Sequence, residues 1–494
     1  MTGPTLLFTE RGALEARSDA TLRDLLGELA AADEAKLLLF AHGGLVAEAH
    51  AVDTATRLDS AFDSIGYGTL KADGWALAYL IWHSDLAEVV ESHRDELSRQ
   101  GLFVRIVLRV LAWAERHIAG AESALSLASD DLPTAMDALD PARERRGDDL
   151  ADALEPDMAT KALNADALLE EQLEQSDLAA ILAADPELGA LAEAGLDSVD
   201  GEIRERVAAA TALRADARSP LAALGPAGHI VALEAIRAGF RVVGRFLHHR
   251  DHGLGPTVVE ELCRALWLDK VGATAWGFMK NDAVAHFDRG NAGALLLDGI
   301  AQIAAHKPVR ILVVGHSAGS IIATHLALAA ATLPKNVSVD CIMLAPAMRL
   351  DAAASLLTSG GARLDHYRCF TMHDALEAAN HLDGTAFGKV YQRSLPYLIS
   401  GVLEVRGRKS YADAPLIGLE RHIQALPVGK YDASEKVAHA AFRTFLGAAP
   451  ARSVFSETPA PEGHATMSHL HGGYWADVKT LESIRFIARK GFDA

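Results

Sequence analysis

The sequence predicts an α/β protein with a mostly parallel central sheet, and three observations carry that reading. Short apolar runs without polar alternation recur along the chain, among them "KLLLFA" at 36–41, "WALAYLIW" at 75–82 and "VRILVVG" at 309–315. Such runs suit strands covered on both faces, as in a parallel sheet wrapped by helices. Helical periodicity lies between the runs. After Ser317, for instance, Ile321, Ile322, Leu326, Ala329 and Ala330 share one stripe, which Pro334 closes. The third observation is an interruption: residues 91–291 carry helical patterns and almost no strand signal.

Taken in order, the remaining strand-like runs are "TLLF" at 5–8, "VDCIMLA" at 339–345, "YRCFTM" at 367–372 and "ARSVFS" at 451–456. A final helix is predicted from the stripe Val478, Leu481, Ile484 and Ala488, with Asp477 as its cap. The expected organisation is therefore a core formed by residues 1–90 and 292–494, with a helical cap inserted at 91–291 and a smaller excursion at 376–450. Inside the cap, two amphipathic segments place Arg105 and Arg109, and Arg237, Arg241 and Arg245, four residues apart. A basic amphipathic helix can lie on anionic lipid. A solvated or salt-bridged face, paired with the acidic part of the same insertion, is the preferred expectation. Between these segments, residues 120–218 are rich in Ala, Leu, Asp and Glu and are broken by Pro133, Pro141, Pro156 and Pro186, which predicts short helices with mobile joints.

Charge excludes one class of partner. The net charge is -19, and residues 130–200 hold 20 acidic and 4 basic side chains, or -16, leaving -3 for the rest. Nucleic acid requires a basic surface, so it is not expected as a partner. The apolar run at 311–333 has the length of a membrane span, yet it divides into a strand and a helix after Gly319, so no transmembrane segment is predicted. Glu10, Arg11 and Glu15 interrupt any signal-peptide pattern, and a cytoplasmic location is expected. Cys263, Cys341 and Cys369 are too few and scattered for a disulfide framework. No histidine cluster has paired metal-ligand spacing and no glycine-rich phosphate fingerprint occurs, so neither metal nor cofactor is predicted. Trp276, Lys280, Asp282 and His286 are read as structural residues of one helix.

The chemistry is carried by "VRILVVGHSAGSIIATHLALAAA" at 309–331. Gly-x-Ser-x-Gly alone recurs by chance in a chain with 40 glycines, so its context decides. Ser317 follows a strand directly and precedes a helix, and Gly315 and Gly319 leave room for the sharp turn that pushes a serine out at the top of a sheet. A serine hydroxyl needs a base, an acid that orients the base, and donors for the oxyanion. For the last of these, His42-Gly43-Gly44 follows the strand at 36–41, and its bare backbone would supply N–H groups beside that of Ala318. His316 is read as a packing or hydrogen-bonding residue.

The order strand, His-Gly-Gly, strand, Gly-His-Ser-Ala-Gly, strand, strand plus acid and late histidine resembles the α/β-hydrolase superfamily of serine esterases and lipases. The resemblance covers the first 90 residues and those after about 290, and not the insertion. It implies an α/β-hydrolase core with an acid after the second strand beyond Ser317 and a base after the last strand. Asp374 is the implied acid, with Asp383 in reserve and Glu377 a weaker candidate. His464, His469 and His471 are the candidate bases; His471 is preferred because Gly472 and Gly473 allow a tight exposed loop and it lies nearest the final helix. Two departures stand out: Leu45 follows His-Gly-Gly where many esterases carry a third glycine, and the insertion precedes the serine instead of following it. The implied activity is hydrolysis of a small-molecule ester through an acyl-enzyme on Ser317. The alternatives are an acyltransferase, thioesterase or peptidase on the same residues, or a non-catalytic binding module that uses the acidic insertion as its partner surface.

Overall fold

The computed structural model describes residues 3–44, 46–64, 69–82, 100–124, 173–212, 219–268, 272–382, 387–404, 412–447 and 452–492. Leu45, Asp383, Pro133, Pro141 and Pro156 lie outside them, as does residue range 125–172 of the acidic segment. The fold is α/β. Its eight strands are β1 (Thr5–Glu10), β2 (Ala13–Leu14), β3 (Ala35–Ala41), β4 (Trp75–Trp82), β5 (Val309–His316), β6 (Val337–Leu344), β7 (His366–Thr371) and β8 (Ser453–Phe455). They form one sheet in the order β2-β1-β4-β3-β5-β6-β7-β8, parallel throughout except for the β1–β2 hairpin at one edge.

Burial on both faces explains the unbroken apolar runs. Successive side chains of a strand point to opposite faces. Leu37, Leu39, Ile311, Val313, Cys341 and Met343 belong to one apolar cluster, whereas Leu38, Phe40, Leu312, Val314, Ile342 and Leu344 belong to the other. The second cluster lies beneath the helices Glu48–Ser64 and Val478–Lys490, which contribute Leu58 and Phe62, and Leu481, Ile484 and Ile487. The first continues without a break into the insertion through Trp113, Val231, Ile236 and Leu262. Among the described residues of the insertion every regular element is helical, from Gly101–Ala124 to Ala273–Ala285. All three cysteines are buried and unpaired.

The last helix of the insertion is seated on the core. Gly12, at φ 79° in the β1–β2 turn, lies so close to it that a Cβ would stand 2.6 Å from the Ala285 carbonyl carbon and 2.7 Å from the His286 nitrogen. Thr9 Oγ1 shares a 2.9 Å hydrogen bond with His286 Nε2. Deeper in the chain, Glu404 accepts from Trp276 Nε1 at 2.8 Å and from Lys280 Nζ at 2.7 Å.

The arginine stripes divide. Arg105 and Arg109 pair with Asp185 at 2.7 and 3.0 Å, within the acidic segment, as the salt-bridged reading expects. Arg241 and Arg245 are salt-bridged as well, though not with the acidic segment: they are buried and pair with Glu261 and Glu260 of the adjacent helix Leu254–Leu266. The physical reason is the position of the helix Gly225–Leu247, which packs against several neighbours and has little face left for solvent. The network continues through Arg250, which binds Asp413 and Glu435, and through His252 and His422, whose Nε2 atoms lie 3.0 and 2.9 Å from Asp413 Oδ2. No helix among the described residues is long and apolar enough to cross a membrane.

Candidate active site

β5 delivers Ser317 at the C-terminal edge of the sheet, and the helix Gly319–Ala329 leaves immediately behind it. Ser317 sits at φ 52°, in the left-handed region that costs an L-residue about 1–2 kcal/mol. The turn is held by Ser317 N–H donating to Leu344 O at 2.9 Å and by Ala347 N–H donating to Ser317 O at 3.1 Å. Its glycines are sterically required. A Cβ at Gly319 would overlap the Ala41 carbonyl oxygen, and one at Gly315 would stand 2.6 Å from Gly319 O. Strand β3 and the serine turn therefore touch through bare backbone, which sets the loop after β3 beside the serine.

That loop is His42-Gly43-Gly44. A Cβ on Gly43 would lie 3.1 Å from Ser317 Cβ, and one on Gly44 would lie 3.1 Å from Ala318 Cβ and overlap Met279 Cε. The N–H groups of Gly43, Gly44 and Ala318 donate to no backbone carbonyl in the described turns and loops. His42 braces the loop. Its Nδ1 donates to Gly43 O at 2.6 Å, its Nε2 accepts from Trp82 N–H at 3.2 Å, and its carbonyl accepts from Trp82 Nε1 at 3.0 Å. Burial lowers its pKa to about 4, so the ring is neutral and keeps this tautomer.

The late loop brings His471 to the serine, with Nε2 2.9 Å from Ser317 Oγ. Its position follows from local structure. Asp477 caps the final helix by accepting from Thr480 N–H at 2.8 Å, and the same carboxylate accepts from Met467 N–H at 2.9 Å, which ties the loop to the helix. His316 Nε2 donates to His471 O at 2.8 Å and its ring lies 5.3 Å from that of His471. Burial holds the His471 pKa well below the usual histidine value, so Nε2 is free to accept the serine proton. Ser317 is 3% exposed and His471 7%, so the pair is shielded from water.

The competing histidines lie elsewhere. His469 is 56% exposed at its side chain and pairs with Glu457 at 2.8 Å, while His464 Nδ1 contacts its neighbour Glu462 O at 3.2 Å.

The structure does not bring Asp374 to His471. Asp374 begins the short helix Asp374–Ala379 after β7, but its Oδ1 accepts from the Tyr397 hydroxyl at 2.6 Å and makes no bond to His471. The 395–403 segment supplies this competing donor, which sequence order does not reveal. His471 Nδ1 is buried with no partner among the described residues. Both carboxylate oxygens of Glu377, 1% exposed, are likewise without a partner.

No three or more His, Cys, Asp or Glu side chains among the described residues form a metal-holding group. Comparison of the chain with models of known families, with curated proteins and with solved structures finds no match.

Proposed function

We propose that this chain is a serine hydrolase of the α/β-hydrolase type that cleaves carboxylic esters through an acyl-enzyme on Ser317. The observation that carries the reading is the 2.9 Å contact between His471 Nε2 and Ser317 Oγ, made by a serine held at positive φ against a two-glycine loop. A strained nucleophile after a strand, with N–H donors from the following residue and from the loop after β3, is the arrangement such chemistry requires.

In the first step Ser317 Oγ attacks the acyl carbonyl carbon as its proton passes to His471 Nε2. The carbonyl oxygen, now anionic, is held by the N–H of Ala318 together with that of Gly43 or Gly44. Collapse of the tetrahedral species breaks the bond to the alkoxide, which leaves with the proton from His471. Water, deprotonated by His471, then releases the acid and restores Ser317. Met279, packed over Gly44, gives the loop beside the serine an apolar neighbour that favours an acyl chain over a charged group.

A fluorophosphonate probe tests the reading. It is expected to phosphonylate Ser317 in the intact protein, with hydrolysis of p-nitrophenyl esters lost in Ser317→Ala; probe modification confined to other residues would overturn it.

A further inference from the structure

The insertion reaches the serine loop through one side chain. Met279 is 2% exposed and lies on the buried face of the helix Ala273–Ala285 with Trp276 and Ala283. Its Cε occupies the place that a Cβ on Gly44 would take, and that same point lies 3.1 Å from Ala318 Cβ. The thioether methyl and the Ala318 methyl are therefore neighbours, beside the residues whose N–H groups hold the acyl oxygen in the reading above. The other side of the loop is as tight: a Cβ on Gly43 would stand 3.1 Å from both Ser317 Cβ and His316 Nδ1. Among these neighbours Met279 alone has a long unbranched side chain, with three rotatable bonds and no strong shape preference. The helix that carries it is pinned. Trp276 Nε1 and Lys280 Nζ donate to Glu404 at 2.8 and 2.7 Å, His286 Nε2 shares its 2.9 Å hydrogen bond with Thr9, and Gly12 packs against the backbone of Ala285 and His286. Room beside the loop is thus made by rotation of one side chain and not by withdrawal of the helix.

We propose that Met279 is a specificity-determining residue, which limits the acyl group accepted at Ser317 to chains unbranched at the carbon next to the carbonyl. The inference rests on the serine-hydrolase reading above. With the carbonyl oxygen held between Ala318 and the glycine loop, that carbon enters the space beside the donors, and a substituent on it meets Met279 Cε. A linear chain passes as the thioether turns aside, whereas a second branch needs the volume that the methyl occupies. A single methylene in an apolar pocket discriminates by about 10–200-fold, so one methionine is enough for a measurable preference. Met279 takes part in no bond-making step.

The test is the ratio of kcat/KM for p-nitrophenyl butyrate to that for p-nitrophenyl isobutyrate in the wild-type chain, Met279→Ala, Met279→Leu and Phe278→Ala. The two esters share a leaving group and an acyl carbon count, so the ratio reads branching, and it does not depend on how much of a variant is folded. The wild-type chain should favour butyrate by at least about 10-fold. Met279→Ala should lower the ratio by about 10-fold, and Met279→Leu, which conserves volume, should keep it near the wild-type value. Phe278, 60% exposed on the same helix, is the control whose replacement leaves the ratio unchanged. The proposal is overturned if the wild-type chain shows no preference, if Met279→Ala keeps the wild-type ratio, or if Phe278→Ala shifts it as far. It is overturned as well if Ser317 takes a fluorophosphonate probe but neither ester is cleaved. A folded chain that neither labels at Ser317 nor cleaves either ester overturns the hydrolase reading itself, a different result from any of these.

Discussion

Replacing Ser317 by glycine should relieve strain that replacing it by alanine leaves in place. Both variants lose the hydroxyl and its contact with His471, so the difference between them isolates the backbone. At φ 52° an L-residue incurs about 1–2 kcal/mol that glycine avoids. Against this, the methyl group that alanine would place there is buried, and removing it costs about 0.8 kcal/mol. Ser317→Gly is thus expected to match Ser317→Ala or to exceed it by up to about 1 kcal/mol. Ala323 provides the reference: it is fully buried within the helix Gly319–Ala329, where glycine costs about 1 kcal/mol in backbone freedom plus the same 0.8 for the methyl. Urea denaturation of Ser317→Gly, Ser317→Ala and Ala323→Gly measures the contrast. A Ser317→Gly variant less stable than Ser317→Ala by about 2 kcal/mol, the ordinary helical penalty, would show that the turn stores no strain and refute the reasoning.

Other perturbations follow from the same geometry. Gly44→Ala should drive Met279 from its place over the loop, at a cost of about 1–3 kcal/mol and with loss of labelling rate, and Met279→Ala in the same chain should recover part of that rate; no recovery would mean that the new methyl acts on the backbone instead. Asp413→Asn should destabilise the fold by about 3–5 kcal/mol, because Arg250, His252 and His422 all converge on that carboxylate. Asp413 is held well below the usual carboxylate range by Arg250 and the two histidines. Its contribution is therefore complete above the unfolded value of about 3.9 and is lost as pH falls through the lower folded value. Thermal melts at pH 7 and pH 3 should show the gap between wild type and variant narrowing in acid; a constant gap would place the effect in packing rather than charge.

Much of the core was legible because each strand is buried on both faces. Runs such as "KLLLFA" and "VRILVVG" record that burial directly, since neighbouring side chains enter different apolar clusters. The two-residue β2 was not legible, having no pattern of its own. The serine turn could be read because its glycines answer a local steric demand, and His471 because the two glycines after it permit the loop. Asp374 was not brought to His471, for a non-local reason. Asp374 has the expected place after β7, but Tyr397, 23 residues later, captures it. Arginines spaced four apart look alike whether they face water or a buried glutamate, so Arg241 and Arg245 were indistinguishable from Arg105 and Arg109 until Glu260 and Glu261 were seen opposite them. Met279 over Gly44 left no sequence signal at all, since a methionine on a buried helical face is ordinary core.

The most direct measurement of the central claim is peptide mapping of the fluorophosphonate-labelled protein beside His471→Ala and His469→Ala. The account predicts a single major adduct on Ser317, lost in His471→Ala and kept in His469→Ala, whose imidazole pairs with Glu457 at the surface. A folded wild-type chain that takes no label on Ser317, or one whose label persists in His471→Ala at the wild-type rate, would contradict it.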